Sequence, residues 1–240
     1  MKIVCCNDYK EMSRVGAGMV AEIVKSKPAC VLGLATGSTP EGLYAELIAK
    51  YQRGELDFSG VTTVNLDEYY PTSPENEQSY RYFMNTKLFD HVNVDKANTY
   101  VPNGSAEDAA AEAARYEAFV RSLGGADIQI LGIGRNGHIA FNEPADAFTG
   151  ESFKIALTQS TIDANSIYFD DIPMPRYAMT MGIGSIMKAK KIVLIATDAS
   201  KAEAVKGMIK GEVTPQLPAS ILQQHQDVVI FLDEAAASLL

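Results

Sequence analysis

The stretch Val-Leu-Gly-Leu-Ala at residues 31–35 contains no polar side chain, and neither does Val-Leu-Ile-Ala at residues 193–196. A strand with one face in water alternates apolar and polar residues, whereas a parallel strand covered by helices on both faces is apolar throughout. Between such runs the sequence has helical periodicity, as over Asp8–Lys25, where apolar residues recur every three or four positions. The alternation predicts βαβ units, and hence an α/β fold with a doubly wound, mostly parallel, Rossmann-like sheet and helices on both faces.

The same patterns locate the other elements of this sheet. A second long helix is expected over Ala106–Leu123, with an acidic first turn and an end at Gly124-Gly125. The expected strands are Lys2–Cys6, Ala29–Ala35, Val61–Leu66, Asp127–Ile133, Phe153–Leu157, Ala178–Ile183, Lys191–Ala196 and Asp227–Leu232. No repeat, low-complexity tract or linker interrupts them, so residues 1–240 are predicted to form a single domain.

Composition excludes several classes of function. The chain has 21 basic and 30 acidic residues, a net charge of −9, and no basic cluster longer than residues 188–191, so we expect no nucleic-acid partner. Three cysteines without CxxC spacing argue against a disulfide framework and a zinc site. The first residues turn polar too early for a signal peptide, and no apolar stretch approaches the ~18–20 residues of a membrane span. A cytoplasmic protein with no membrane partner is expected.

Ligands of doubly wound sheets bind beyond the carboxyl ends of the strands, so the loops that follow the strands are the candidate sites. The first such loop, Thr36–Gly42, combines Gly37, the hydroxyls of Ser38 and Thr39, and Pro40 before a helical segment. Ser38 or Thr39 is expected to cap that helix, with Pro40 at its first position. The loop is either an ordinary capped helix start or a phosphate site that uses free N–H groups.

Two further loops carry acid–base residues. Asp67 and Glu68 follow the strand that ends at Leu66; a carboxylate there either removes a proton alpha to a carbonyl or belongs to a solvated acidic turn. The third loop, residues 131–144, contains Gly-x-Gly-x-x-Gly, but no long amphipathic helix follows, so we reject a dinucleotide site. It instead presents Asn136, His138 and Glu143 together, and a histidine oriented by an acid is a candidate general base.

Taken together, these motifs identify a family. The sequence resembles the glucosamine-6-phosphate deaminases in Leu-Ala-Thr-Gly-Ser-Thr-Pro at 34–40, Asn-Leu-Asp-Glu-Tyr at 65–69, Gln-Ser-Tyr at 78–80, residues 131–144 and Pro-Ala-Ser-Ile-Leu at 218–222. The resemblance runs essentially end to end. Its most specific part is Asn-Gly-His-Ile-Ala-Phe-Asn-Glu-Pro at 136–144.

The resemblance implies an isomerisation of glucosamine 6-phosphate followed by loss of ammonia. The residue matching His138 opens the sugar ring, aided by those matching Glu143 and Asn136, and the residue matching Asp67 moves the C2 proton to C1. Gly37, Ser38, Thr39 and Lys201 match the phosphate-binding positions. No metal and no cofactor are implied, because the substrate's own carbonyl supplies the activation. We also class the expected enzyme as a hydrolase of amino-sugar catabolism.

Two departures from the family pattern affect the expected site. Some members carry Asp where this chain has Asn136, and an amide can orient a neighbour but cannot act as a base. The family usually has an arginine that contacts phosphate at the position of Ile167, so weaker phosphate binding is expected here, unless another cation such as Arg176 replaces it.

Two other functions are weighed against this one, and the mode of regulation follows from the same comparison. A 6-phosphogluconolactonase shares a similar Gly-His loop but lacks the Asn-Glu-Pro continuation, and a sugar-phosphate-sensing regulator would carry a DNA-binding segment that this chain lacks. Allosteric relatives bind an activator through basic and hydroxyl groups where this chain has Phe153, Ile155 and Ala156. We therefore expect a monomer without allosteric activation.

Overall fold

Two β-sheets organise the chain in the computed structural model, which describes residues 1–166, 169 and 173–240. The strands are β1 (Lys2–Cys5), β2 (Val31–Leu34), β3 (Thr62–Asn65), β4 (Asp67–Tyr70), β5 (Thr99–Tyr100), β6 (Ile128–Leu131), β7 (Phe153–Ala156), β8 (Tyr177–Thr180), β9 (Ile192–Ala196) and β10 (Val228–Leu232). The helices are α1 (Tyr9–Ser26), α2 (Glu41–Gln52), α3 (Tyr80–Lys87), α4 (Ala109–Ser122), α5 (Gln159–Asn165), α6 (Ile183–Ile186) and α7 (Ala202–Lys210), with short 3₁₀ turns at Phe89–His91, Lys96–Asn98, Ala199–Lys201 and Pro218–Gln224.

The larger sheet confirms the predicted fold class. Its seven strands lie in the order β1-β10-β9-β6-β2-β3-β5, and all of their pairings are parallel. Strands β2, β6, β9 and β10 are buried along their whole length, because helices cover both faces. The chain runs from β2 outward to β3 and β5 and then returns to β6 on the other side of β2. This reversal of direction places a topological switch point between β2 and β6.

Both predicted helices are present, but α4 begins at Ala109, three residues later than predicted, because Asp108 caps it. Asp8 caps α1 by accepting a hydrogen bond from the Glu11 N–H, and Asp108 caps α4 by accepting from the N–H groups of Ala110 and Ala111. Beyond α4, Gly124 and Gly125 have φ values of 76° and 83°, a backbone conformation that ends a helix readily when glycine adopts it.

The smaller sheet differs from the prediction. Strands β4, β8 and β7 form a separate antiparallel sheet, in which Asp67 pairs with Thr180 and Tyr70 pairs with Tyr177. The predicted strands at 153–157 and 178–183 exist, but they do not join the parallel sheet, and Asp67–Tyr70 is a strand rather than a turn. A second apolar cluster containing Tyr69, Phe141 and Phe169 packs against this sheet. Across the described residues, no helix combines the length and the apolarity that crossing a lipid bilayer requires.

Candidate active site

The candidate residues lie at the carboxyl ends of four neighbouring strands. In the order β9-β6-β2-β3, these strands are followed by Lys201, by the loop with Asn136, His138 and Glu143, by Gly37–Thr39, and by Asp67. The structure therefore brings all of the sequence-predicted site residues to one edge of the sheet, beside the switch point, where α/β proteins bind their ligands.

His138 is held by an amide and a carboxylate. Its Nδ1 lies 2.7 Å from Oδ1 of Asn136 and 3.5 Å from Oε1 of Glu143. The amide NH₂ of Asn136 donates to Oε2 of Glu143 at 2.6 Å, so its oxygen is the atom that faces the imidazole. Because Nδ1 faces two acceptor oxygens, it carries the ring proton, and Nε2 is left as the acceptor. The imidazole is thus oriented to take a proton through Nε2.

Glu143 is ionised at neutral pH. Burial alone would raise the pKa of this carboxyl, but hydrogen bonds and charge from His138, with hydrogen bonds from Asn136 and Thr161, outweigh burial and lower the pKa to about 2. The hydroxyl of Thr161 donates to Oε1 of Glu143 at 2.9 Å. Thr161, in α5, is a residue that sequence reasoning missed; no motif marks it, since it reaches the site only through the tertiary fold.

Gly134 makes room for the imidazole. A Cβ atom at this position would lie 2.2–2.5 Å from the ring atoms of His138, a distance at which one of the two must move. The turn is closed by the Gly137 N–H, which donates to the Gly134 carbonyl at 3.0 Å. The glycines of residues 131–144 therefore allow a tight turn over which the histidine packs. They do not form a dinucleotide-binding fingerprint.

The two adjacent carboxyls, Asp67 and Glu68, have different roles. Glu68 accepts hydrogen bonds from the N–H groups of Tyr69, Tyr80 and Arg81, each at 2.9 Å, and thereby fixes β4 to the start of α3. The carboxyl of Asp67 makes no hydrogen bond with any described residue. Burial, with a contribution from the charge of Glu68, raises the pKa of Asp67 to about 8. A carboxyl that is buried, unpaired and easily protonated is suited to proton transfer at neutral pH.

The loop of His138 is attached to the strand next to Asp67. The hydroxyl of Thr180, whose backbone pairs with Asp67, accepts a hydrogen bond from the Phe141 N–H at 3.1 Å. The side-chain amide of Asn142 donates to the Met181 carbonyl at 2.9 Å. These contacts hold the histidine loop and the Asp67 strand end in one rigid arrangement.

The Thr36–Gly42 loop differs in detail from the expected capped helix start. Pro40 occupies the N-cap position of α2 with no side-chain cap, so Pro40 is not the first helical residue and neither Ser38 nor Thr39 caps the helix. The hydroxyl of Tyr9 takes over this role: it accepts from the Gly42 N–H at 2.8 Å and donates towards the Ser38 and Thr39 carbonyls. The hydroxyls of Ser38 and Thr39 therefore remain available for a ligand.

Lys201 completes the edge on the other side of the histidine loop. It is the residue before α7, it is half-buried, and its ammonium makes no hydrogen bond or ion pair with a described residue.

Ile167, where the resemblance implies a missing phosphate contact, lies outside the described residues. In the parts of the chain that the structure covers, no three His, Cys, Asp or Glu side chains are grouped so as to hold a metal ion.

Comparisons with known proteins agree with this geometry. Residues 9–231 match the model of the family described as glucosamine-6-phosphate isomerases/6-phosphogluconolactonase. A glucosamine-6-phosphate deaminase of Clostridium perfringens is 54% identical over 241 residues, which is 100% of both chains. The deaminase of Clostridium beijerinckii is 54% identical over 239 residues, 99% of each chain.

Solved structures give the same result. The structure of a monomeric glucosamine-6-phosphate deaminase superimposes with a TM-score of 0.97 at 46% identity, covering 100% of both chains. A 6-phosphogluconolactonase from Trypanosoma cruzi shares the fold, with a TM-score of 0.81 over 100% of this chain and 96% of its own, but at only 20% identity.

These findings correct one expectation. The relatives at about half identity and the solved structure at 46% identity are all named glucosamine-6-phosphate deaminases, so classing the enzyme as a hydrolase was wrong. The physical reason is that the expected reaction relocates a proton between two carbons and expels an amine, and cleavage by water is not its defining step. The family match and the relatives, together with the site geometry, show that the chain belongs to the glucosamine-6-phosphate isomerase/6-phosphogluconolactonase family.

Proposed function

We propose that this chain catalyses the isomerising deamination of glucosamine 6-phosphate to fructose 6-phosphate and ammonia, in amino-sugar catabolism. The observation that carries the proposal is the unpaired, buried carboxyl of Asp67 at the same edge of the sheet as a histidine that Asn136 and Glu143 orient. The names of the relatives at about half identity favour this reaction over lactone hydrolysis.

The substrate phosphate binds between Lys201 and the loop of Gly37, Ser38 and Thr39. At Gly37 the φ of 88° turns the backbone so that the following residues approach the start of α2. Free hydroxyls, the backbone N–H groups of Gly37–Thr39 and the unpaired ammonium of Lys201 together suit a dianion. This anchor fixes which end of the sugar faces Asp67 and His138.

Ring opening is assigned to His138. Its Nε2 accepts the proton of the anomeric hydroxyl, the bond between C1 and the ring oxygen breaks as the C1 carbonyl forms, and the imidazolium then gives the proton to the ring oxygen. The positive charge that develops on the imidazole is stabilised by the ionised carboxylate of Glu143, whose Oε1 lies 3.5 Å from Nδ1. Asn136 keeps the tautomer and the ring orientation correct, a role that an amide fulfils without ionising.

Asp67 transfers the proton in the isomerisation. Its carboxylate removes the proton from C2, which becomes acidic because the open-chain carbonyl at C1 delocalises the resulting charge. The same carboxyl then delivers the proton to C1. Water adds at C2 and ammonia leaves, which gives fructose 6-phosphate. This sequence requires no metal, nicotinamide or pyridoxal cofactor.

The assembly and location of the protein follow as part of the same proposal. A monomer is supported by the 46% identical deaminase of known structure, which is itself described as monomeric. A single deaminase domain over residues 1–240 is supported by relatives that match along their whole length. We further propose that the enzyme works in the cytoplasm, without nucleic acid or membrane as a partner.

The test is a coupled assay that measures ammonia and fructose 6-phosphate formed from glucosamine 6-phosphate. Equimolar formation of both products, without hydrolysis of 6-phosphogluconolactone in a parallel reaction, is the expected result. Lactone hydrolysis without ammonia release would contradict the proposal, and absence of both activities would favour a sugar-phosphate-sensing protein.

A further inference from the structure

Arg135 and Lys201 are two cations in the loops that follow the neighbouring strands β6 and β9, at the site edge of the sheet. After burial, the charge of Arg135 is the next cause that lowers the pKa of Lys201, while Asp198 acts in the opposite direction. Neither cation makes a hydrogen bond or ion pair with a described residue. The exposed carboxylate of Asp198 interacts electrostatically with both cations and so offsets part of their mutual repulsion, and an anion bound between them would offset more of it.

The topology shows where such an anion would lie. Strand β6 lies between β9 and β2, so the turn after β6 separates Lys201 from the loop of Gly37–Thr39. Arg135 and Asn136 are the two corner residues of that turn, which the Gly137 N–H closes onto the Gly134 carbonyl. Arg135 is exposed, so its side chain is free to reach a ligand at either neighbouring loop.

We propose that Arg135 is a second cation for the substrate phosphate, acting together with Lys201 and the Gly37–Thr39 loop. The inference rests on the proposed function and extends it by a residue that none of the motifs marks. A guanidinium presents a planar fork of donors that matches two phosphate oxygens, whereas an ammonium acts as a point charge. The two cations therefore contribute differently: Lys201 supplies charge, and Arg135 supplies both charge and orientation.

Arg176, the other candidate cation, is placed unfavourably. It precedes β8, at the end of the small sheet where Tyr177 pairs with Tyr70. Asp67 lies at the opposite end, paired with Thr180. Arg176 precedes Thr180 by four residues, so at ~3.3 Å per residue its backbone lies ~13 Å along the strand from the residue that pairs with Asp67. Arg176 is also exposed, which makes it a matched control for Arg135.

The test compares the variants Arg135→Ala, Arg135→Lys and Arg176→Ala in the full chain. Inorganic phosphate is titrated calorimetrically, and KM and kcat are measured for glucosamine 6-phosphate. For Arg135→Ala we expect the phosphate Kd and the KM to rise ~10–100-fold, as loss of charge-assisted hydrogen bonds implies. The kcat should change by less than about threefold, Arg135→Lys should recover part of the affinity, and Arg176→Ala should match the wild type.

Several results would overturn the inference. These are an unchanged phosphate Kd and KM in Arg135→Ala, an equal loss in Arg176→Ala, a wild type that does not bind phosphate, or a loss of kcat with unchanged phosphate affinity. The last result would mean that Arg135 only supports the turn. Failure of the proposed function is a separate outcome from failure of this inference. A wild type that releases no ammonia can still bind phosphate, and the titration measures that binding independently of turnover.

Discussion

Replacing Asp67 with Asn should make the protein more stable at neutral pH and at the same time remove its turnover. The side chain is 7% exposed and makes no hydrogen bond with a described residue, so its ionised form is poorly solvated in the folded state. Burial, followed by the charge of Glu68, raises the pKa of Asp67 from 3.8 to about 8. In the unfolded chain the carboxyl ionises at its ordinary pKa.

The magnitude follows from the two pKa values of Asp67. Between pH 4 and pH 8 the unfolded carboxyl is ionised while the folded one is still largely protonated, so stability falls as the pH rises through this interval. Three pH units at ~1.4 kcal/mol each give an upper bound of ~4 kcal/mol at pH 7. An amide ionises in neither state, although it too must be buried without a partner, so we expect Asp67→Asn to gain ~1–3 kcal/mol at pH 7.

The assay is urea unfolding followed by circular dichroism at pH 5 and at pH 8, with turnover measured in parallel. The stability gain of Asp67→Asn over the wild type should be larger at pH 8 than at pH 5, and kcat should fall ~10²–10⁴-fold. Glu22→Gln is the matched control, because Glu22 is exposed on α1 and makes no hydrogen bond or ion pair with a described residue. An equal gain at both pH values, or more than about a tenth of the wild-type kcat, would refute the reasoning.

Four other outcomes are expected. Because the pKa of Asp67 is raised to about 8 and the base must be ionised, kcat/KM should climb about tenfold per pH unit up to that region; an acid limb near pH 4 would contradict the assignment. His138→Gln and Glu143→Gln should slow reaction of the closed sugar more than C2 proton exchange on an open-chain analogue, whereas equal losses would place both residues in another step. Kinetics should be hyperbolic, and a Hill coefficient above one that N-acetylglucosamine 6-phosphate brings towards one would refute this. Ile167→Arg should lower the KM at least about tenfold if a phosphate contact is missing there, and an unchanged KM would show that it is not.

The sequence by itself determined the strands of the large sheet other than the two-residue β5, which it missed, and the residues at their carboxyl ends. Apolar runs such as residues 31–35 and the glycines after α4 act within a few positions of the chain, so local patterns were sufficient to predict them. The motifs at Gly37–Thr39 and at residues 136–144 follow predicted strands, and the rule that ligands bind at that edge placed them together.

Only the tertiary structure decided which of these residues touch. The sequence presents Asp67 and Glu68 as an equivalent pair, but α3 supplies N–H groups to Glu68 alone and leaves Asp67 unpaired. Thr161 reaches Glu143 across 18 positions, and the loops of Arg135 and Lys201 are neighbours because β6 and β9 are adjacent in the sheet. The antiparallel pairing of β4 with β8 likewise joins segments more than a hundred residues apart. Contacts over such separations depend on strand order and helix packing, which no local pattern encodes.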